Sequence, residues 1–163
     1  MADLVIRPAG RDDVPTLLGL IRELAEYERA LNEVVADETT LATALFDSSA
    51  TAYARVAERE GVVAGFVVYF YTFSTWLGRY GLYLEDLYVT PALRGHGVGR
   101  ALLTDLAGIA VAGGCRRVEW QVLNWNKPAI DFYEAIGARP QSDWTTYRLT
   151  EPALSALAEG AKS

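Results

Sequence analysis

Residues 94–100 read Arg-Gly-His-Gly-Val-Gly-Arg, and this stretch decides the fold. It follows a run of strand-forming residues at 82–89 and leads directly into an apolar segment that begins Ala-Leu-Leu at 101–103. At such a strand–loop–helix junction, unpaired backbone N–H groups and the helix dipole favour an anion, and glycine lets the chain approach it closely. The stretch therefore predicts an anion-binding loop, whose candidate contacts are Arg94, Gly95, His96, Gly97, Val98, Gly99 and Arg100.

The spacing of these glycines excludes two common phosphate-binding loops. A P-loop requires Gly-Lys-Ser/Thr, but Gly99 is followed by Arg100 and Ala101. The dinucleotide fingerprint requires a third glycine three residues after the second, and Arg100 occupies that position. What remains is Arg-x-x-Gly-x-Gly running into a helix.

The rest of the chain predicts a mixed α/β architecture. Early segments have the pattern of antiparallel hairpins, and later ones alternate strand, loop and helix, so helices are expected on both faces of a bent mixed sheet of six to seven strands. Predicted strands include 4–8, 82–89, 117–122 and 145–149, and predicted helices include 14–25, 37–46, 127–136 and 151–159. A length of 163 residues fits one domain, 1–163, with its core at about 3–150.

The amino-acid composition limits the classes of substrate and of site that this chain can be expected to have. Fifteen Lys plus Arg against twenty-one Asp plus Glu give a net charge of −6, which favours a small cationic substrate and does not suggest nucleic acid. The only cysteine, Cys115, and the only histidine, His96, provide no set of metal ligands. We read Cys115 as a buried filler and His96 as a loop residue. With neither a signal peptide nor an apolar run long enough to span a membrane, the sequence predicts a cytoplasmic protein.

Several motifs together resemble the GNAT superfamily of N-acetyltransferases, and within it the diamine branch typified by spermidine/spermine acetyltransferase. The resemblance covers about residues 3–150. It rests on the glycine loop, on Leu-Ala-Glu-Tyr-Glu at 24–28, on the stretch 71–78, on Tyr-Leu-Glu-Asp-Leu-Tyr-Val at 83–89, and on Trp-Asn-x-Pro at 125–128 followed by Phe-Tyr at 132–133.

This resemblance implies that the glycine loop holds the pyrophosphate of acetyl-CoA. It also implies that backbone groups of the strand at Leu87, Tyr88 and Val89 contact the acetyl and pantetheine part of the molecule. Asn126 and Pro128 would contact the same arm, with helix N-capping as the alternative role of Asn126.

The resemblance further implies direct acetyl transfer, with Tyr133 as general acid and Glu85 binding the amine and acting as its base through water. A phenol stays protonated at neutral pH and can donate to the departing thiolate. Glu85 and Asp86 are adjacent, so regular strand alternation predicts that they point to opposite faces. Asp86 is expected to support neighbouring backbone or the opposite side of the strand, and it is also counted among the acceptor candidates.

The acceptor is expected to be a small cationic amine: a diamine, a polyamine or a lysine-like amino acid. Its candidate binding residues are Tyr27, Glu28, Trp76, Glu85, Asp86, Trp120 and Gln121. The sequence departs from the polyamine branch at Arg100, at a short hairpin around Glu60, and at Asn124, where a carboxylate is expected.

Two alternatives stay open from the sequence. The first is acetyl transfer to another amine, such as a protein N-terminus or an aminoglycoside, and the second is a non-catalytic domain that binds acyl-CoA. The resemblance also implies a homodimer, with Trp76 and Trp144 as interface candidates.

Overall fold

The computed structural model describes residues 3–160. The strands are β1 (Leu4–Pro8), β2 (Ala52–Arg59), β3 (Val62–Ser74), β4 (Arg79–Val89) and β5 (Val118–Glu119). The α-helices are α1 (Val14–Tyr27), α2 (Glu38–Phe46), α3 (Val98–Ala112), α4 (Lys127–Ala135) and α5 (Ala153–Ala158). The chain divides into two compact units, with the boundary between Leu123 and Asn124. The ends of the predicted 1–163 domain lie outside the described residues, and the single domain stays a prediction.

All five strands form one sheet in the order β1-β2-β3-β4-β5. The first four pair antiparallel, whereas β4 and β5 run parallel. Short turns suffice between β2, β3 and β4, but a parallel pair requires a crossover, and α3 provides it. The predicted mixed sheet is therefore confirmed.

Helices cover both faces of this sheet. Phe66, Val68 and Tyr88 belong to one buried cluster together with Leu17 and Leu20 of α1. On the opposite face α3 lies close to the sheet because β3 carries Gly65, where an added Cβ would come within 3.4 Å of Leu102. Burial of apolar side chains on both faces fixes the strand register, since a shift by one residue would exchange the faces.

The strand count differs from the expected six to seven. Residues 145–149 read Thr-Thr-Tyr-Arg-Leu and include β-branched and aromatic side chains, yet they form no strand in the described chain. Such a pattern becomes a strand only where a neighbouring strand supplies hydrogen bonds. The strand predicted at 117–122 is shortened to β5, which pairs through Val118 and Glu119 alone.

Two observations concern the surface. Between residues 3 and 160, every helix is too short or too polar to cross a membrane. The side chains of Trp76 and Trp144 are 87% and 71% exposed. The homodimer stays a prediction.

Candidate active site

A β-bulge interrupts β4 at Glu85. The cross-strand partners are Tyr69 with Leu84 and Val68 with Asp86, so Glu85 is an extra residue without a partner on β3. A bulge bends its strand and changes the direction of the residues that follow. The predicted alternation of Glu85 and Asp86 between opposite faces is therefore wrong as an argument at this position, because it assumed a regular strand.

The bulge also changes which backbone groups face the free side of β4. Before the bulge, the N–H of Leu82 donates to the carbonyl of Arg117 on the β5 side, at 3.0 Å. After it, the N–H of Thr90 donates to the carbonyl of Ala64 on the β3 side, at 2.9 Å. Since successive N–H groups point to alternate edges, those of Leu87 and Val89 point away from β3.

That edge is open toward the end of β4. In the described part of the chain, β5 pairs with Leu82 and Tyr83 and with no later residue of β4. The pairing ends two residues before Glu85, so the two parallel strands part next to the bulge. The backbone N–H groups of β4 that follow the bulge on this edge are therefore not paired with β5 in the described chain.

The glycine loop ends at the N-terminus of α3. Gly95 and Gly97 have φ values of +78° and +81°, a conformation that other residues adopt at a cost. Gly97 is the N-cap of α3, where no side chain caps the first turn, so the N–H groups at the start of the helix remain available to an anion. A Cβ added at Gly95 or Gly97 would meet no atom of the described chain within 4 Å. The space beside both glycines is therefore open.

The side chain of Arg94 lies against aromatic rings. Its Nε donates to the carbonyl of Val89 at 3.0 Å. Its guanidinium carbon lies 5.4 Å from the ring centroid of Tyr27 and 5.3 Å from that of Tyr88. His96 lies in the exposed loop with Nδ1 2.9 Å from the carbonyl oxygen of Arg94, which agrees with a loop role for this histidine.

Carboxylates gather at the bulge on the α1 side of the sheet. Asp86 shares a face with its cross-strand partner Val68, which belongs to the core cluster with α1. Burial, with smaller contributions from Glu85 and Glu28, raises the pKa of Asp86 to about 6. Burial also raises the pKa of Glu28, the residue that follows α1. Glu85 itself is exposed.

Negative charge extends to β5. Glu119 is the parallel partner of Tyr83. Burial first, and then the charges of Glu85 and Glu119, raise the pKa of the Tyr83 phenol. A cation near this part of the sheet would be attracted by all of these carboxylates.

The raised pKa of Asp86 predicts a stability effect. The folded state binds the Asp86 proton more tightly than the unfolded chain does. The resulting contribution to the free energy of unfolding is therefore complete below about pH 4 and is lost as pH rises through about 6. At pH 7.5 the buried charge opposes folding, and Asp86→Asn is expected to stabilise the protein by up to about 3 kcal/mol. Urea unfolding at pH 4.5 and 7.5 measures this effect. The free energy of unfolding of the variant should exceed that of the wild type at the higher pH only. An equal change at both values would contradict the assignment.

The remaining candidates lie at three other places. Trp76 is in the β3–β4 turn, whereas Trp120 and Gln121 directly follow β5. In the second unit, Tyr133 is half-buried on α4 and its ring centroid lies 5.7 Å from that of Phe132. In that unit, Pro128 is in the first turn of α4 and Asn126 is its N-cap residue, although the Asn126 side chain makes no capping hydrogen bond.

Sequence reasoning missed one residue near the loop. Glu23 of α1 accepts a hydrogen bond from the Tyr88 hydroxyl at 2.9 Å. Glu23 lies one helical turn before Tyr27, so the two side chains share a helix face. That spacing was the only signal in the sequence.

Comparisons with known proteins show the family and the fold of this chain. The profile described as Acetyltransferase (GNAT) family matches residues 19–138. Thialysine N-epsilon-acetyltransferase of Sus scrofa is 36% identical, over 97% of this chain and 99% of that protein. Spermidine/spermine N(1)-acetyltransferase-like protein 1 of Homo sapiens is 32% identical, over 94% of this chain and 23% of that protein. The structure of an integron cassette protein from the Vibrio cholerae mobile metagenome superposes with a TM-score of 0.81 at 28% identity, covering 98% of this chain and 99% of the other.

The predicted fold class and the diamine-branch resemblance are thus confirmed. The family uses acetyl-CoA as acetyl donor. This chain belongs to the GNAT family of acetyltransferases and is an N-acetyltransferase.

Proposed function

We propose that the protein transfers the acetyl group of acetyl-CoA directly to a side-chain amine of a small diamino acid of the lysine type. The carboxylates at the β4 bulge carry this proposal. Asp86 lies on the α1 side of the sheet, beside the backbone edge of β4 that follows the bulge, and the charges of Glu85 and Glu28 act on it. These carboxylates attract a cationic amine, and the attraction is stronger where they are partly shielded from water.

The glycine loop fits the diphosphate of acetyl-CoA. Open space beside Gly95 and Gly97 lets an anion approach the backbone, and the start of α3 offers N–H donors with the positive end of the helix dipole. The N–H groups of Leu87 and Val89 would bind the acetyl and pantetheine groups, because they face the open edge of β4. From the family resemblance, Asn126 and Pro128 at the start of α4 are further candidates for contacts with acetyl-CoA.

The bound thioester supplies an activated acetyl group. The protein has to move protons at the amine and at the sulfur. An alkylamine is protonated at neutral pH and has to lose its proton before it can attack. Glu85, exposed next to Asp86, takes this proton through water. Tyr133 holds a proton on Oη and donates it to the sulfur as the C–S bond breaks. The second proton that leaves the newly acylated nitrogen then restores the phenol. Transfer is direct, so no side chain of the protein is acetylated.

Two observations favour a diamino acid over a polyamine. Asn124 provides an amide where the polyamine branch has a carboxylate, which removes one partner for an extended chain of ammonium groups. The thialysine enzyme matches along nearly its whole length, and thialysine is an analogue of lysine with sulfur in its side chain. Trp76, Trp120 and Gln121 stay candidates for contacts with the aliphatic part of the acceptor.

An acceptor panel tests this proposal. Thiol release from acetyl-CoA is measured with thialysine, lysine, ornithine, spermidine, an aminoglycoside and a peptide with a free N-terminus. We expect kcat/KM for the best diamino acid to exceed those of the last two acceptors by at least tenfold. Glu85→Gln is expected to lower kcat/KM for that acceptor by about tenfold or more, while the exposed Glu60→Gln, at the β2–β3 turn, leaves it unchanged.

Three results would contradict the proposal. A preference for the peptide or the aminoglycoside would assign another acceptor class. Equal activity of Glu85→Gln and the wild type would remove Glu85 from its role. Thermal stabilisation by CoA without turnover on any amine would indicate a binding domain instead of an enzyme for small amines.

A further inference from the structure

Arg94 links the glycine loop to the end of α1. It is the first residue of the loop, but its guanidinium lies over the ring of Tyr27, the last residue of α1, with 5.4 Å between the guanidinium carbon and the ring centroid. The Nε–H of the same side chain is used by the carbonyl of Val89 at the end of β4. One side chain thus contacts three elements: the loop, the strand and the helix.

The second ring in contact with this guanidinium, that of Tyr88, is buried and hydrogen-bonded. Tyr88 is only 6% exposed, and its hydroxyl donates to Oε2 of Glu23 at 2.9 Å. The guanidinium carbon of Arg94 lies 5.3 Å from the Tyr88 ring centroid. Arg94 therefore rests on a buried ring of β4, while Tyr27 on its other contact is 40% exposed. The buried ring of Tyr88 therefore fixes Arg94, and Arg94 in turn restrains the more exposed ring of Tyr27.

We propose that Arg94 is a positioning residue for the amine acceptor, because its guanidinium, fixed by Val89 and Tyr88, holds Tyr27 and thereby the end of α1 that carries Glu28. This inference rests on the proposed function, in which Tyr27 and Glu28 contact the acceptor. It differs from the expectation that the Arg94 side chain serves the diphosphate.

The chemistry requires arginine. A planar guanidinium can lie against two aromatic rings and still donate from Nε to a carbonyl, whereas an ammonium is a compact charge with a different reach. Lysine at this position would retain the positive charge near the loop. Arg94→Lys consequently separates positioning of Tyr27 from simple attraction of an anion.

Steady-state kinetics test the inference with Arg94→Lys and Arg94→Ala. Each contact of this kind contributes about 0.5–1 kcal/mol, so the loss of both corresponds to about a tenfold change. We expect both variants to raise KM for the diamino acid about tenfold, and we expect Arg94→Lys, which keeps the positive charge, to leave KM for acetyl-CoA within about twofold of the wild type. Arg22→Ala, which removes an exposed arginine of α1, should change neither constant. A rise confined to KM for acetyl-CoA, or full rescue by lysine, would overturn the inference.

Hydrogen exchange gives a readout that needs no turnover. In Arg94→Lys, the backbone amides of residues 27–30 should exchange faster than in the wild type, whereas those of α3 should not change. Unchanged exchange at 27–30 would overturn the positioning role even if the kinetics were affected. If the wild type acetylated no amine at all, the proposed function would fail, and the exchange result would still decide whether Arg94 orders the end of α1.

Discussion

Replacing Tyr133 by phenylalanine is expected to lower kcat by about a hundredfold to ten-thousandfold, the range that general acid–base groups contribute. The substitution keeps the aromatic ring, which contacts Phe132 on α4, and removes only the hydroxyl. Without a donor, the thiolate of CoA has to leave unprotonated or take its proton from water. Affinity for acetyl-CoA should change little, because we propose that its binding depends on the glycine loop and on backbone groups of β4.

The measurement is kcat from thiol release at saturating substrates, paired with calorimetric titration of acetyl-CoA. Tyr147→Phe is the matched control, since it removes the same hydroxyl from a tyrosine that is 93% exposed in the same unit. The control should retain wild-type kcat. If Tyr133→Phe is as fast as the wild type, or if its loss of rate is explained by weaker acetyl-CoA binding, Tyr133 is not the general acid.

Gly97→Ala is expected to weaken acetyl-CoA binding at least tenfold. The new Cβ would project into the open space beside the loop, where no atom of the described chain lies within 4 Å and where the diphosphate is expected. The residue also has a φ of +81°, so alanine costs about 1 kcal/mol of folding stability in addition. The dissociation constant from calorimetry and the midpoint of urea unfolding separate the two effects.

Gly78→Ala is the control for strain alone. Gly78 has a φ of +58° in the β3–β4 turn, and a Cβ there also meets nothing within 4 Å. It should lower stability by a similar amount, about 1 kcal/mol, and leave acetyl-CoA binding unchanged. Equal weakening of acetyl-CoA binding by both substitutions would show that strain, and not the diphosphate contact, is responsible.

The local order of elements around the glycine loop was predictable from the sequence. Strand-forming residues before Arg94 and an apolar helical segment after Gly99 are local signals, and they correspond to β4 and α3. The spacing of the glycines in this loop also excluded two other phosphate-binding loops, whereas the contact with a diphosphate stays a prediction.

The bulge at Glu85 could not be predicted. The neighbouring residues Leu84 and Asp86 carry no glycine or proline signal, and the extra residue is recognised only from its lack of a partner on β3. Register between strands is a property of the sheet, not of one strand. For that reason the simple alternation argument, which assumed a regular strand, does not apply to Glu85 and Asp86.

The contacts of Arg94 were hidden for a similar reason. Tyr27 and Arg94 are far apart in sequence, and a basic residue before a glycine loop is most simply read as an anion ligand. Only the tertiary packing of α1 against β4 brings Tyr27, Tyr88 and Arg94 together. The strand predicted at 145–149 was wrong for the same reason, because strand formation depends on a neighbouring strand.

The most direct test of direct acetyl transfer is an initial-rate study in which acetyl-CoA and thialysine are varied together and thiol release is followed. We predict amine-dependent release with intersecting double-reciprocal lines, as required when both substrates occupy the enzyme before the acetyl group moves. Parallel lines would reveal an acetylated protein residue between two separate half-reactions and would contradict the account.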